Sequence, residues 1–297
     1  MQANGGNLIR YLRRKMNITQ EELANKLFIS QRTLSNIENG TAALSIMDFL
    51  TAFQVLGLQT EDFWIVFLNT TEFEGYLQYK RMRHLLASED IDELRSIFPS
   101  ISQNILAKRP LISQFLSFVR VVIDSEMPND KRLATLYGIL EQSIKHFKDK
   151  KMSECRLNYN QVLIINELAL VYARLGQPGE AIALLDGIVQ NIDNLRTTAE
   201  ENSLLLPKPH IDLAALLVKA GEYEKAAEVC ESALELVKEY MIWRCGPEVT
   251  YHLGVCYQKM NKHKQEYMPL LAMAYHSAKG IGRHDLADKI GKEHGIA

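Results

Sequence analysis

Cysteine is scarce and scattered in this chain: four among 297 residues, at Cys155, Cys230, Cys245 and Cys256, with no C-x-x-C pair. That spacing excludes a zinc ribbon or a thioredoxin-like motif and reads as reduced core thiols. The eight histidines include no H-E-x-x-H or H-x3-H cluster, so no metal and no cofactor is expected. A nucleophile–base pair, a phosphate loop and a paired-carboxylate motif are also missing, which argues against an enzyme. No apolar run reaches the about 18 to 20 residues that a membrane span requires, and the polar start Met1-Gln2-Ala3-Asn4-Gly5-Gly6 has no signal-peptide core, so a cytoplasmic location is expected. Excess positive charge is absent too. The net charge is -2, so any affinity for nucleic acid must come from a local patch.

What is present is an ordinary globular composition, 47% hydrophobic and 24% charged, in a chain long enough for two domains. The first 40 residues carry a net charge of plus three, from Arg10, Arg13, Arg14, Lys15, Lys26 and Arg32 against Glu21, Glu22 and Glu38. This end is therefore the one suited to phosphates. Asn7 to Met16 reads as an amphipathic helix with Leu8, Ile9 and Leu12 inward and Arg10, Arg13, Arg14 and Lys15 outward, able to flank a DNA backbone.

The stretch Thr19 to Gly40 reads as helix, tight turn, helix. Thr19 and Glu22 have the capping-box spacing, and Leu23, Ala24 and Leu27 make one apolar face, with Ala24 small enough for a second helix to cross closely. Ser30 caps the second helix, which buries Leu34 and Ile37 and turns Gln31, Arg32, Thr33, Ser35 and Asn36 outward, and Gly40 suits a left-handed stop. An outer face that is polar but hardly charged fits a DNA major groove, where Gln and Asn pair with adenine and Arg with guanine. These residues resemble the phage-repressor-like (XRE) helix-turn-helix. They carry Gln20 and Ala24 in the first helix, an apolar-Ser-Gln turn at Ile29-Ser30-Gln31, and the exit Ile37-Glu38-Asn39-Gly40. The resemblance implies Gln31, Arg32 and Asn36 as base readers and Gln20, Ser30, Thr33 and Asn39 on phosphates, joined by the flanking Arg10 and Arg14. Ser45 and Thr60 cap two further helices, the second bearing Phe63, Trp64, Phe67 and Leu68, so residues 1–69 are expected to form a five-helix DNA-binding domain.

From about Thr70 the pattern is helix after helix without strand alternation, so the chain is expected to be all-α. Weak repeats follow: Leu168-x3-Tyr172-x3-Gly176-x4-Ala181, Leu213-x3-Leu217-x3-Gly221-x-Tyr223-x2-Ala226, and Leu253-Gly254-x2-Tyr257-x3-Asn261-x4-Glu266. These resemble the tetratricopeptide repeat, with the third copy departing at Asn261, Lys262 and Glu266. Gly176, Gly221 and Asn261 stand 45 and 40 residues apart, longer than the usual period of about 34, and Leu206-Pro207-Lys208-Pro209 is one interruption. Two degenerate pairs precede them, Phe73 to Ile101 with a break at Phe98-Pro99, and Ile112 to Phe147 with a break at Met127-Pro128-Asn129. About five helix pairs should stack into a right-handed superhelix over residues 70–297, closed by a helix in Ala278 to Ala297.

A DNA-reading head on such a solenoid resembles the Rgg type of peptide-pheromone receptor, in the RRNPP group of Gram-positive transcription regulators. The resemblance implies a cytoplasmic homodimer on palindromic promoter DNA, controlled by a short signalling peptide in the concave face of the repeats. On the repeat register the concave positions include Asn166 and Arg174, then His210 and Asp212, then Tyr251 and His252, with Arg156 and Asn160 on the approach. The family suggests an Arg for a carboxylate and Asn for peptide bonds, hence Arg156, Arg174, Asn160 and Asn166, though each reads equally as a solvated or helix-packing residue. The alternative is a repeat domain that binds another protein.

Overall fold

A computed structural model describes residues 5–42, 46–56, 70–152 and 155–296. Among these residues the secondary structure is helical apart from one isolated bridge between Asn158 and Arg196. The chain divides into two compact units, residues 1–85 with 92–113, and residues 86–91 with 114–297.

The first unit contains α1 (Gly5–Lys15), α2 (Gln20–Lys26), α3 (Gln31–Glu38), α4 (Ile46–Val55), most of α5 (Thr70–Ala87) and α6 (Ile91–Ser102). The capping box at the start of α2 forms as expected: Thr19 Oγ1 accepts from the Glu22 N–H at 3.1 Å while Glu22 Oε2 accepts from the Thr19 N–H at 2.7 Å. Leu8, Ile9, Leu12, Leu23, Ala24, Leu27, Leu34, Phe53 and Tyr76 close a single core around this frame. Ser45, and the aromatic helix expected after Thr60, lie outside the described residues.

Two expectations are corrected here. Arg13 does not point outward but is 8% exposed, because a carboxylate awaits it from α3. Phe98-Pro99 does not break α6, which runs on to Ser102. Pro99 is exposed, so its missing N–H is lost on the solvent side.

The turn between α2 and α3 holds an anomaly. Phe28 adopts a left-handed backbone with φ 56° while its side chain is 95% exposed. A bulky residue there carries a steric cost and buries nothing in return. Phe28→Gly is expected to stabilise this unit by about 0.5 to 1 kcal/mol, the relief being larger than glycine's entropic cost. Urea unfolding checks this, and a lower midpoint would contradict it.

The second unit is built from helix pairs. These are α7 (Pro110–Ile123) and α8 (Asn129–Glu141), α9 (Tyr159–Arg174) and α10 (Pro178–Gln190), α12 (Pro207–Ala220) and α13 (Tyr223–Glu239), and α14 (Gly246–Lys259) and α15 (Lys264–Gly280), closed by α16 (His284–His294). A short extra helix, α11 (Ala199–Leu205), precedes α12 and accounts for the stretched period, and Pro207 opens α12 at a position that needs no N–H.

Three intra-pair turns share one closure. Gly176 and Gly221 are left-handed at φ 75° and 83°, and the next residue in each case donates to a carbonyl five back, Gln177 to Tyr172 and Glu222 to Leu217, both at 2.9 Å. Asn261, which breaks the sequence pattern, takes the same conformation at φ 56° with Lys262 donating to Tyr257 at 3.0 Å. Asparagine is the side chain that tolerates this geometry best after glycine, so the third repeat keeps the turn. Small residues set the crossings. A Cβ added to Gly254 would lie 2.8 Å from Leu271 Cδ2, so only hydrogen fits between α14 and α15. Cys155, Cys230 and Cys256 are buried in this unit.

Candidate DNA-binding face and ligand cavity

On α3 the structure sorts the residues by face. Leu34 and Ile37 are buried, whereas Gln31, Arg32, Thr33 and Asn36 are exposed together on the opposite side. Ser30 Oγ accepts from the Thr33 N–H at 3.0 Å and meets Thr33 Oγ1 at 2.8 Å, so the two hydroxyls fix the helix start. What remains outward is a donor and acceptor set of the kind that reads base edges.

Beneath this face lies a buried ionic knot. Arg13 donates through Nε and Nη2 to Glu38 Oε1 and Oε2 at 2.6 and 2.9 Å, and through Nη1 to the Ile18 carbonyl at 2.9 Å. Gln20 Nε2 donates to Glu38 Oε2 at 2.9 Å, Arg10 Nε stands 3.5 Å from the same oxygen, and Arg10 Nη2 reaches Asn39 Oδ1. Gln20, Arg10 and Asn39, all expected at phosphates, are thus tied to the last turn of α3, while Arg14 is exposed on α1. The amphipathic pattern gave no sign of Glu38 as the hub. Its carboxylate, 0% exposed, sits below the ordinary range: burial opposes ionisation, but the hydrogen bonds of Arg13 and Gln20 and the charges of Arg13 and Arg10 outweigh it.

The repeat unit contains a cavity of about 260 Å³ lined by Tyr159, Leu163 and Asn166 of α9, by the first turns of α12 and α14, and by the 86–89 corner. Asn166 Nδ2 donates to Asp212 Oδ2 at 3.0 Å, and its buried Oδ1 makes no hydrogen bond within the chain. Lys208 Nζ lies 2.6 Å from Glu89 Oε1 and 3.5 Å from Asp212 Oδ1. Burial works against the Lys208 ammonium, but the charges of Asp212 and Glu89 hold its proton more firmly than in an ordinary lysine. Burial also pushes the Asp212 and Glu248 carboxyls up, against the pull of Lys208.

The other expected ligand residues are placed differently. His210 is 2% exposed, its pKa lowered by burial against the opposing pull of the Leu206 carbonyl, which lies 2.8 Å from Nδ1. Asn160 is buried in α9. Arg174 is exposed and donates to Glu167 Oε1 at 2.7 Å. Arg156 lines a separate cavity of about 570 Å³ with Lys145, Lys150 and Arg196. Tyr251 lines a third, donating to Glu293 Oε2 at 2.5 Å, and beside it the His252 pKa is pushed down to about 4 by burial and by Lys289 and Lys219. Asn166 and Asp212 are therefore the expected pair that the fold brings together. Lys208, Glu89, Arg244, Glu248 and Arg283 went unnoticed in the sequence, where the i,i+4 spacing of Lys208 and Asp212 was the available signal.

The described architecture is a helix-turn-helix domain joined to an array of tetratricopeptide-like helix pairs. Residues 9–63 match the helix-turn-helix family model. Solved structures share the fold over nearly the whole chain. PlcR of Bacillus thuringiensis, in complex with the peptide PapR7 and DNA, superposes with a TM-score of 0.68 at 18% identity, covering 97% of this chain and 99% of that one. ComR of S. thermophilus, with DNA and its signalling peptide ComS, gives 0.59 at 16%, covering 97% and 98%. The pheromone receptor Rgg2 of Streptococcus dysgalactiae gives 0.53 at 14%, covering 98% of each. Comparison with curated proteins finds no match.

Proposed function

We propose that this chain is a sequence-specific DNA-binding transcription regulator controlled by a short peptide. The observation that carries the reading is the exposed Gln31, Arg32, Thr33 and Asn36 face of α3, in a chain that shares its fold from end to end with PlcR. Residues 1–69 serve as the DNA-binding domain and residues 70–297 as the domain for peptide binding and dimerisation. Gln31, Arg32 and Asn36 read base edges, and Ser30, Thr33 and Arg14 meet phosphates. The chain acts as a homodimer in the cytoplasm, and the two-fold symmetry of that dimer sets its two heads on a palindrome. Among the described residues, no helix is long and apolar enough to cross a membrane.

The cavity beside Asn166 supports the peptide half of the reading. An unpaired buried carbonyl oxygen is costly unless a donor arrives, and a peptide N–H is such a donor. Asn166→Ala is expected to weaken peptide binding roughly threefold to tenfold without unfolding the chain. Titration calorimetry beside a thermal melt reads both, and an unchanged affinity would contradict the assignment. Selection from random duplex DNA tests the other half. Two inverted half-sites about one helical turn or a multiple apart support a dimeric reader, and failure to enrich any sequence overturns it.

A further inference from the structure

We infer that Lys208 is the seat of a ligand carboxylate inside the cavity of the repeat unit, and that Glu89 holds this seat from within the chain until a ligand takes it. The inference rests on the peptide-receptor reading.

Both residues break a local rule and meet each other across the fold, with Asp212 as a second partner of Lys208 along its own helix. Lys208 stands in the first turn of α12, where the helix macrodipole disfavours a cation and where no acidic residue is present to offset it. Its neighbours Pro207 and Pro209 are buried, so the ammonium is presented from a stiff backbone. Glu89 occupies the turn between α5 and α6 in a left-handed conformation, φ 60°, that suits glycine or asparagine. Its N–H donates to the Leu86 carbonyl at 3.2 Å, and its own carbonyl accepts from Ile91 at 3.0 Å. Local propensity explains neither residue. The 2.6 Å contact between them, spanning 119 positions in sequence, accounts for Glu89, and together with Asp212 at 3.5 Å it accounts for Lys208.

The surroundings are those of a binding site rather than of a structural clasp. The pair lies in a cavity also lined by Asn166 and Arg244, whose buried Oδ1 and Nε make no hydrogen bond within the chain, with Leu163, Leu204 and Ile211 as apolar wall. The Lys208 and Glu89 side chains are 42% and 58% exposed, and an ion pair this open to water contributes little to stability. A ligand carboxylate that accepts from Lys208, on a ligand whose N–H groups approach Asn166, competes with Glu89 for the ammonium. Arg283, which also lines the cavity, and Asp212, Arg244 and Glu248 are the other charged groups facing the seat. Peptides carry such a group at the C-terminus or on an Asp or Glu side chain, and the seat recognises what the two share.

The test uses the full chain and a synthetic pool of mixed heptapeptides, prepared as free acids and as C-terminal amides, with retained peptides identified by mass spectrometry. Free acids, or amides enriched in Asp and Glu, should be retained at least about tenfold over neutral amides. The first outcome assigns the terminal carboxylate and the second a side chain. Glu89→Gln, at an exposed position, should raise retention about two- to fivefold, and Lys208→Met should abolish the preference for a carboxylate. Retention that is indifferent to carboxylates, or unchanged in Glu89→Gln, overturns this inference and leaves the receptor reading standing. No retained peptide in any protein overturns both.

Discussion

Replacing Glu38 by alanine should cost the helix-turn-helix unit about 3 to 5 kcal/mol, because the Arg13 guanidinium would be left buried without its bidentate partner. Gln20 and Arg10 lose an acceptor in the same substitution. The unfolding midpoint of this unit in urea, followed by circular dichroism, should fall accordingly. The double replacement Arg13→Met with Glu38→Leu should cost less than Glu38→Ala alone, since no orphaned charge remains. A double variant as unstable as the single one would show that packing, not charge pairing, holds α1 against α3. The same knot sets an acid limit. The Glu38 pKa is depressed in the folded chain, so its contribution is fully present above the ordinary glutamate value near 4.5 and is lost as the pH falls through the lowered value. Acid should therefore loosen the wild-type head in that window, and the Arg13→Met, Glu38→Leu variant should show a flatter profile there.

The second large effect concerns recognition. Gln31→Ala, Arg32→Ala and Asn36→Ala should each weaken binding to the selected duplex by about 1 to 3 kcal/mol and relax preference at one base position. Arg14→Ala should instead weaken all sequences alike and reduce the salt slope by about one. Quantitative binding to a panel of single-base variants separates the two patterns. Uniform loss in all four proteins would mean that α3 lies along the backbone and reads no bases. All three α3 side chains are exposed, so their removal should leave the melting transition in place.

Much of this fold was legible because its punctuation is local. The Thr19 and Glu22 box, the Ser30 cap, the left-handed Gly40 and the glycine turns at Gly176 and Gly221 depend on residues a few positions apart. Asn261 looked like a lapse in the repeat because the pattern asks for glycine, although the backbone asks only for a residue that tolerates positive φ. Pro99 misled because the cost of a proline depends on which side of the helix loses its hydrogen bond, and periodicity alone did not show that. Arg13 was hidden by a partner 25 residues away, and Lys208 by one 119 away. Charges that pair across the fold leave no periodic trace, so the cavity's ionic lining had to be seen in three dimensions. Asn166 and Asp212 were found from register alone, since both fall on first helices of successive pairs.

The central claim is that a peptide held by the repeat unit changes how the head engages DNA. The most direct measurement is binding of the purified full chain to the DNA upstream of its own gene, with and without short hydrophobic peptides encoded nearby. The footprint's affinity or extent should change with one such peptide, and Asn166→Ala should lose that change while peptide-free DNA binding persists. Binding to the same DNA that no peptide alters would contradict the account and move the repeat unit's role to a protein partner.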